Sequence, residues 1–93
     1  MTDQAELLVD KRLRAAVLLA LANDANLASL DLRVGVLNAI VHLCGSAPTP
    51  ALWERASHVA GDVPGVRAVV NRISAPGAPH PTRTIHLNQL RNK

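Results

Sequence analysis

Aromatic side chains are nearly missing from this sequence of 93 residues: there is no Phe, no Tyr and a single Trp. Any core must therefore be aliphatic, assembled from Leu, Val, Ile and Ala. A pI near 10.0 keeps a basic nucleic-acid-binding domain as an alternative, but the same shortage argues against it, because exposed bases are commonly held by stacking on aromatic rings. No GxxG loop is present to clamp a nucleic-acid backbone. Cysteine is equally scarce. The one Cys, Cys44, excludes an intrachain disulfide and fits a reducing compartment. No apolar run approaches the ~20 residues that cross a bilayer. The segment Met1-Thr2-Asp3-Gln4-Ala5-Glu6 is acidic and lacks the basic region that opens a secretory signal. These absences lead to the expectation of a cytoplasmic chain that is at most peripheral to a membrane. No run of five like charges occurs, and the net charge is +3. That is a mild bias towards anionic partners without a polybasic signature.

Catalytic signatures are absent too. There is no P-loop, and Gly61-Asp62-Val63-Pro64-Gly65 lacks the GxGxxG pattern. Ser46, Ser57 and Ser74 have no nucleophile motif around them, and Asp10, Asp24, Asp31 and Asp62 form no evident acid–base pair. Asp24 and Asp62 fall at helix ends, where turn and capping roles prevail. His42 and Cys44 stand two apart on one strand and could supply two ligands to zinc. A structural zinc site takes four, and no second Cys or HxxxH completes the set. His58 sits on a helix, His80 and His86 in the tail. The chain reads as a non-enzyme with no metal and no cofactor.

What the chain does contain is a regular succession of elements. Asp3 and Glu6 form a capping-box variant that opens a helix running to about Asn23. Val9, Leu13, Ala16, Val17, Ala20 and Leu21 are predicted to face a sheet. Leu8, Ala15, Leu18, Leu19 and Ala22 cluster on the other side, so residues 15–22 are apolar nearly all round. Leu30, Leu32, Val34 and Val36 alternate with polar residues and Gly35, which predicts a strand with one buried face. Leu37-Asn38-Ala39 offers a tight turn into a second strand, Ala39 to Cys44, with Val41 and Leu43 inward. Gly45 to Thr49 is a loop. Thr49-Pro50 supplies an N-cap and a first-turn proline for a second helix to about Ala60, with Leu52, Ala56, Val59 and Ala60 as its buried stripe. Val63-Pro64-Gly65 is a type II turn, and the β-branched run from Val66 to Ile73 is a third strand. Strands two and three flank a helix, so they should run parallel. The expected fold is α+β, a single α-β-β-α-β domain over residues 1–73 with a three-stranded mixed sheet and both helices on one face. Residues 74–93 form a Pro- and Gly-rich linker and tail, with a short strand at 84–88 that could pair with a sheet edge or a neighbouring chain.

Three segments carry a resemblance. Asp10-x-x-Leu13-x-x-x-Val17-x-x-Ala20-Leu21 is followed by Asn38-Ala39-Ile40-Val41-His42-Leu43-Cys44-Gly45, and then by Ala56-x-x-Val59-Ala60-x-x-Val63-Pro64-Gly65-Val66-x-x-Val69-Val70-Asn71. In this order the pattern resembles the BON domain (bacterial osmotic-shock protein and nodulation). Ala39 stands where that family favours Gly. The resemblance implies the same α-β-β-α-β order, and a bacterial stress-response setting. It also implies a non-catalytic binding module that contacts phospholipid or other proteins. It supplies no catalytic residues.

The candidate interaction surface is accordingly Leu8, Leu18 and Leu19 with Trp53, and the structural turn residues are Gly45, Pro64 and Gly65. Trp53 has two readings, a cover for the core rim or an interfacial anchor. The expected partner is an unknown protein or an anionic membrane surface. A second copy of the chain, held through the leucines of helix one, is the further expectation.

Overall fold

The structure, a computed structural model, describes residues 4–78 and 82–85. The predicted Asp3 cap lies outside them. Helix α1 spans Gln4–Asn23, β1 Leu32–Leu37, β2 Ile40–Gly45, α2 Pro50–Gly61, β3 Ala68–Asn71 and β4 Thr82–Ile85. The α-β-β-α-β order and the mixed sheet are as the sequence predicts. β1 and β2 pair antiparallel, with Val34 opposite Leu43, and β2 and β3 pair parallel, with Val41 opposite Val69. β4 extends this sheet, antiparallel to β3 on its free side. It begins two residues before the predicted strand, whose residues 86–88 lie outside the described part.

Each boundary has a local cause. The Thr49 hydroxyl accepts from the Leu52 amide at 3.2 Å, and Pro50 opens α2 with its φ already helical. At the far end, the Asp62 amide donates to backbone carbonyls of α2. Val63, Pro64, Gly65 and Val66 make the predicted type II turn: Gly65 has φ +96, and the Val66 amide reaches the Val63 carbonyl at 3.2 Å. Between β1 and β2, Asn38 and Ala39 both have positive φ, 53 and 63, which is a two-residue type I′ hairpin. The third strand is shorter than predicted: the ladder covers Ala68–Asn71, and Val66 and Ile73 are buried beyond its ends.

The core lies between one sheet face and the helices. Leu13, Val17 and Leu21 from α1 meet Val34, Val41, Leu43 and Val69 from the sheet and Ala56 and Ala60 from α2. Leu27, Ala47, Val63, Val66 and Ile73, all outside the helices and strands, complete it. Two of the predicted inward residues are exposed instead: Val9 and Ala16 face water, while Leu18, predicted outward, packs partly against the core.

Three polar side chains, Asp10, Ser57 and Asn71, are buried inside this frame, and each is hydrogen-bonded. Asn71 donates to the Trp53 carbonyl at 2.9 Å and to the Ser57 hydroxyl at 3.2 Å, and its side-chain oxygen accepts from the Ile73 amide. It fastens β3 to α2. The Asp10 carboxylate accepts from the Asn38 and Ala39 amides and fastens α1 to the hairpin.

Candidate interaction surface

α1 positions the candidate residues by simple arithmetic. At about 100° per residue, Leu8, Arg12, Ala15, Leu19 and Ala22 return to one side of the helix. That side is opposite Leu13, Val17 and Leu21, so burial of the latter forces the former into water. All five are exposed, Leu8 at 52% and Leu19 at 61%. Val9, at 51%, lies on the flank of the same stripe. The stripe is apolar apart from Arg12.

Beside it runs an open groove of about 490 Å³. One wall is Ala16, Leu19, Ala20 and Asn23 of α1, and the other is Val59, Asp62, Val63 and Pro64. The turn that ends α2 therefore builds half of this groove. Its walls are mostly apolar, with Asp62 and Asn23 as the polar edge. Among the described residues, neither Arg12 nor Asp62 has an ion-pair partner.

The other candidates are placed elsewhere. Leu18 leaves the exposed set because it packs on the core. Trp53 also packs against the core, and its indole nitrogen is buried without a hydrogen-bond partner. This placement suits a cover for the core rim. Gly45 ends β2, away from α1.

The sheet face turned away from the helices carries a different chemistry. By strand alternation it presents Arg33, His42, Cys44 and Val70, with Leu37 and Ile40 at the hairpin end. Leu37 is 58% exposed. Among the described residues no group of three or more His, Cys, Asp or Glu is placed to hold a metal ion.

The sequence model of the BON domain matches residues 9–77, which takes in α1 from Val9 onward, α2 and the three-stranded part of the sheet. The chain belongs to the BON family. No curated protein matches it. Membership makes it a small binding module of a family whose domains often contact lipid or protein. Every residue that lines the groove, from Ala16 to Pro64, falls inside this range. No helix among the described residues is long and apolar enough to cross a membrane.

The exposed leucines of this BON domain were legible in the sequence, because α1 carries more apolar side chains than one sheet can cover. The groove was not. Val63, Pro64 and Asp62 reach α1 only through the packing of α2, and no local signal reports that.

Proposed function

We propose that this chain is a non-catalytic BON module that docks a protein partner through the outer face of α1 and the groove between α1 and Pro64. The observation that supports this reading is the exposed stripe Leu8, Val9, Ala15 and Leu19 beside a mostly apolar groove. Large exposed side chains arranged contiguously mark interaction surfaces, whereas isolated ones do not. The charges at its rim are mixed, Lys11 and Arg12 against Asp62. A surface adapted to anionic lipid would instead concentrate Lys and Arg.

The test is a photo-crosslinker at position 19 of the full chain, activated in cells. The expected product is a discrete protein adduct, lost when Leu8 is changed to Glu. Absence of any protein adduct overturns the reading.

A second reading is capture by an anionic surface on the open sheet face. It is favoured by Arg33 lying on the same face as the exposed Leu37. Co-sedimentation with anionic vesicles separates the two. Salt-sensitive binding abolished by Arg33→Glu, and indifferent to Leu19→Glu, would support the sheet face.

A further inference from the structure

We infer that the occupant of the α1 face is a second copy of this chain, paired antiparallel about a twofold axis. This rests on the protein-docking reading above and names its partner. The surface is self-complementary in both shape and charge. Its middle is small, Ala15 and Ala16, which permits close approach of two helices. Its ends are large, Leu8 and Leu19. The groove flanks the second half of α1 only, because Val63 and Pro64 lie against Ala16, Leu19, Ala20 and Asn23.

An antiparallel pairing centred between Ala15 and Ala16 sets residue 8 of one helix level with residue 23 of the other, and residue 12 level with residue 19. Leu8 of each copy then enters the groove of its mate. A twofold axis perpendicular to the helix pair also keeps like flanks together, so the groove flank of one meets the groove flank of the other. Arg12 lies on that flank, one turn before Ala16. Asp62 lies on the groove wall that faces Ala16, Leu19, Ala20 and Asn23. Arg12 of each copy therefore reaches Asp62 of the second copy, and the pair is made twice. Both side chains are without an ion-pair partner among the described residues of a single chain. A parallel pairing would set each residue of α1 level with its own copy and turn the two groove flanks to opposite sides, so Arg12 would not meet Asp62.

The register is tested by exchanging the charges. Sedimentation velocity of the full chain, from about 1 µM to about 1 mM, is expected to show a concentration-dependent dimer. Leu19→Glu should raise the dimer dissociation constant at least about tenfold. Arg12→Glu and Asp62→Arg should each weaken the dimer, and the double variant should return it to near wild-type strength. Both positions are exposed, and a cation at position 62 suits a helix C-terminus, so thermal melts should show all variants folded. A wild-type chain that stays monomeric at the highest concentration overturns the inference. So does a double variant no stronger than its parents. A monomer that still yields a protein adduct at position 19 removes self-pairing and leaves the docking reading. A chain with no adduct that binds anionic vesicles removes the docking reading itself.

Discussion

The Asp10 carboxylate of α1 accepts a hydrogen bond from the Ala39 amide at 3.0 Å, across 29 positions of sequence. Its other oxygen takes the Asn38 amide at 2.9 Å. Both donors belong to the hairpin turn, where two successive positive-φ residues aim their amides the same way. The helix thus caps the hairpin, and Asp10 is 7% exposed in doing so. Removing the acceptor would leave both amides without it. Asp10→Ala should cost about 1–3 kcal/mol in urea unfolding, since an unsatisfied buried group costs roughly 1–3 kcal/mol and the exposed Asn38 can turn its amide to water. The Ala39 amide should also lose hydrogen-exchange protection. An unchanged unfolding midpoint would show that water replaces the carboxylate without loss.

The same turn holds a strained residue. Ala39 has φ +63, a conformation that a side chain with Cβ resists by roughly 1–2 kcal/mol. Ala39→Gly removes that strain, adds some chain entropy to the unfolded state, and gives up one methyl packed at the edge of the core. The balance favours Gly by about 0.5–1 kcal/mol. Chemical denaturation should show a raised midpoint at constant slope. A lowered midpoint would mean that the methyl contact outweighs the strain.

These two residues also explain how much of the fold the sequence disclosed. Thr49-Pro50, Val63-Pro64-Gly65 and the alternation from Leu32 to Val36 are local signals, and each became the element it predicts. The phase of α1 is different. Residues 15–22 are apolar on nearly every side, so periodicity alone places Val9 and Ala16 inward and Leu18 outward, against what packing selects. What fixes the phase is Asp10, a polar residue whose burial depends on a hairpin far along the chain. Periodicity counts such a residue against the buried face. Leu27 and Ala47 are core residues in loops, where no period exists to reveal them. The interaction surface divides the same way. Leu8 and Leu19 follow from excess apolar side chains on one helix, while Asp62 and Pro64 join them only through the α1–α2 packing.

Asp24 ties the two helices together from outside the core. Its carboxylate meets the Arg55 guanidinium at 2.7 Å and also accepts from the Asn26 amide, closing the turn after α1. The hydrogen bond from Arg55 holds the Asp24 pKa below its ordinary value of 3.8, with the Asn26 amide acting in the same direction. A depressed carboxyl pKa stabilises the fold above the unfolded value, and that stabilisation is lost as pH falls through the folded one. Melting temperature should therefore drop on acidification below about pH 4 more steeply in the wild type than in Asp24→Asn. The amide side chain retains an oxygen for Asn26, so the comparison isolates the charge. Parallel acid limbs for the two proteins would exclude a role for the ion pair.

Two glycines give a final test, with opposite expectations. Gly45 closes β2 with φ +123, and a Cβ built there would run into the Asp31 carbonyl oxygen. That carbonyl is not free to move. It accepts the Ser46 amide at 3.2 Å, and the neighbouring Gly45 carbonyl accepts the Ser74 amide at 2.9 Å. The backbone on both sides is therefore pinned, and Gly45→Ala must either break these bonds or strain the strand end. A loss of about 2–4 kcal/mol is expected, comparable to other large backbone effects. Gly35 sits in the middle of β1 on the open face, and a Cβ there meets nothing within 4 Å. Gly35→Ala should be neutral or stabilising by up to about 1 kcal/mol, because it trims unfolded-state freedom without a clash. Measuring both in one denaturation series removes errors of reference state. Equal effects at the two sites would show that strand propensity, and not the close approach at Asp31, governs the glycines of this sheet.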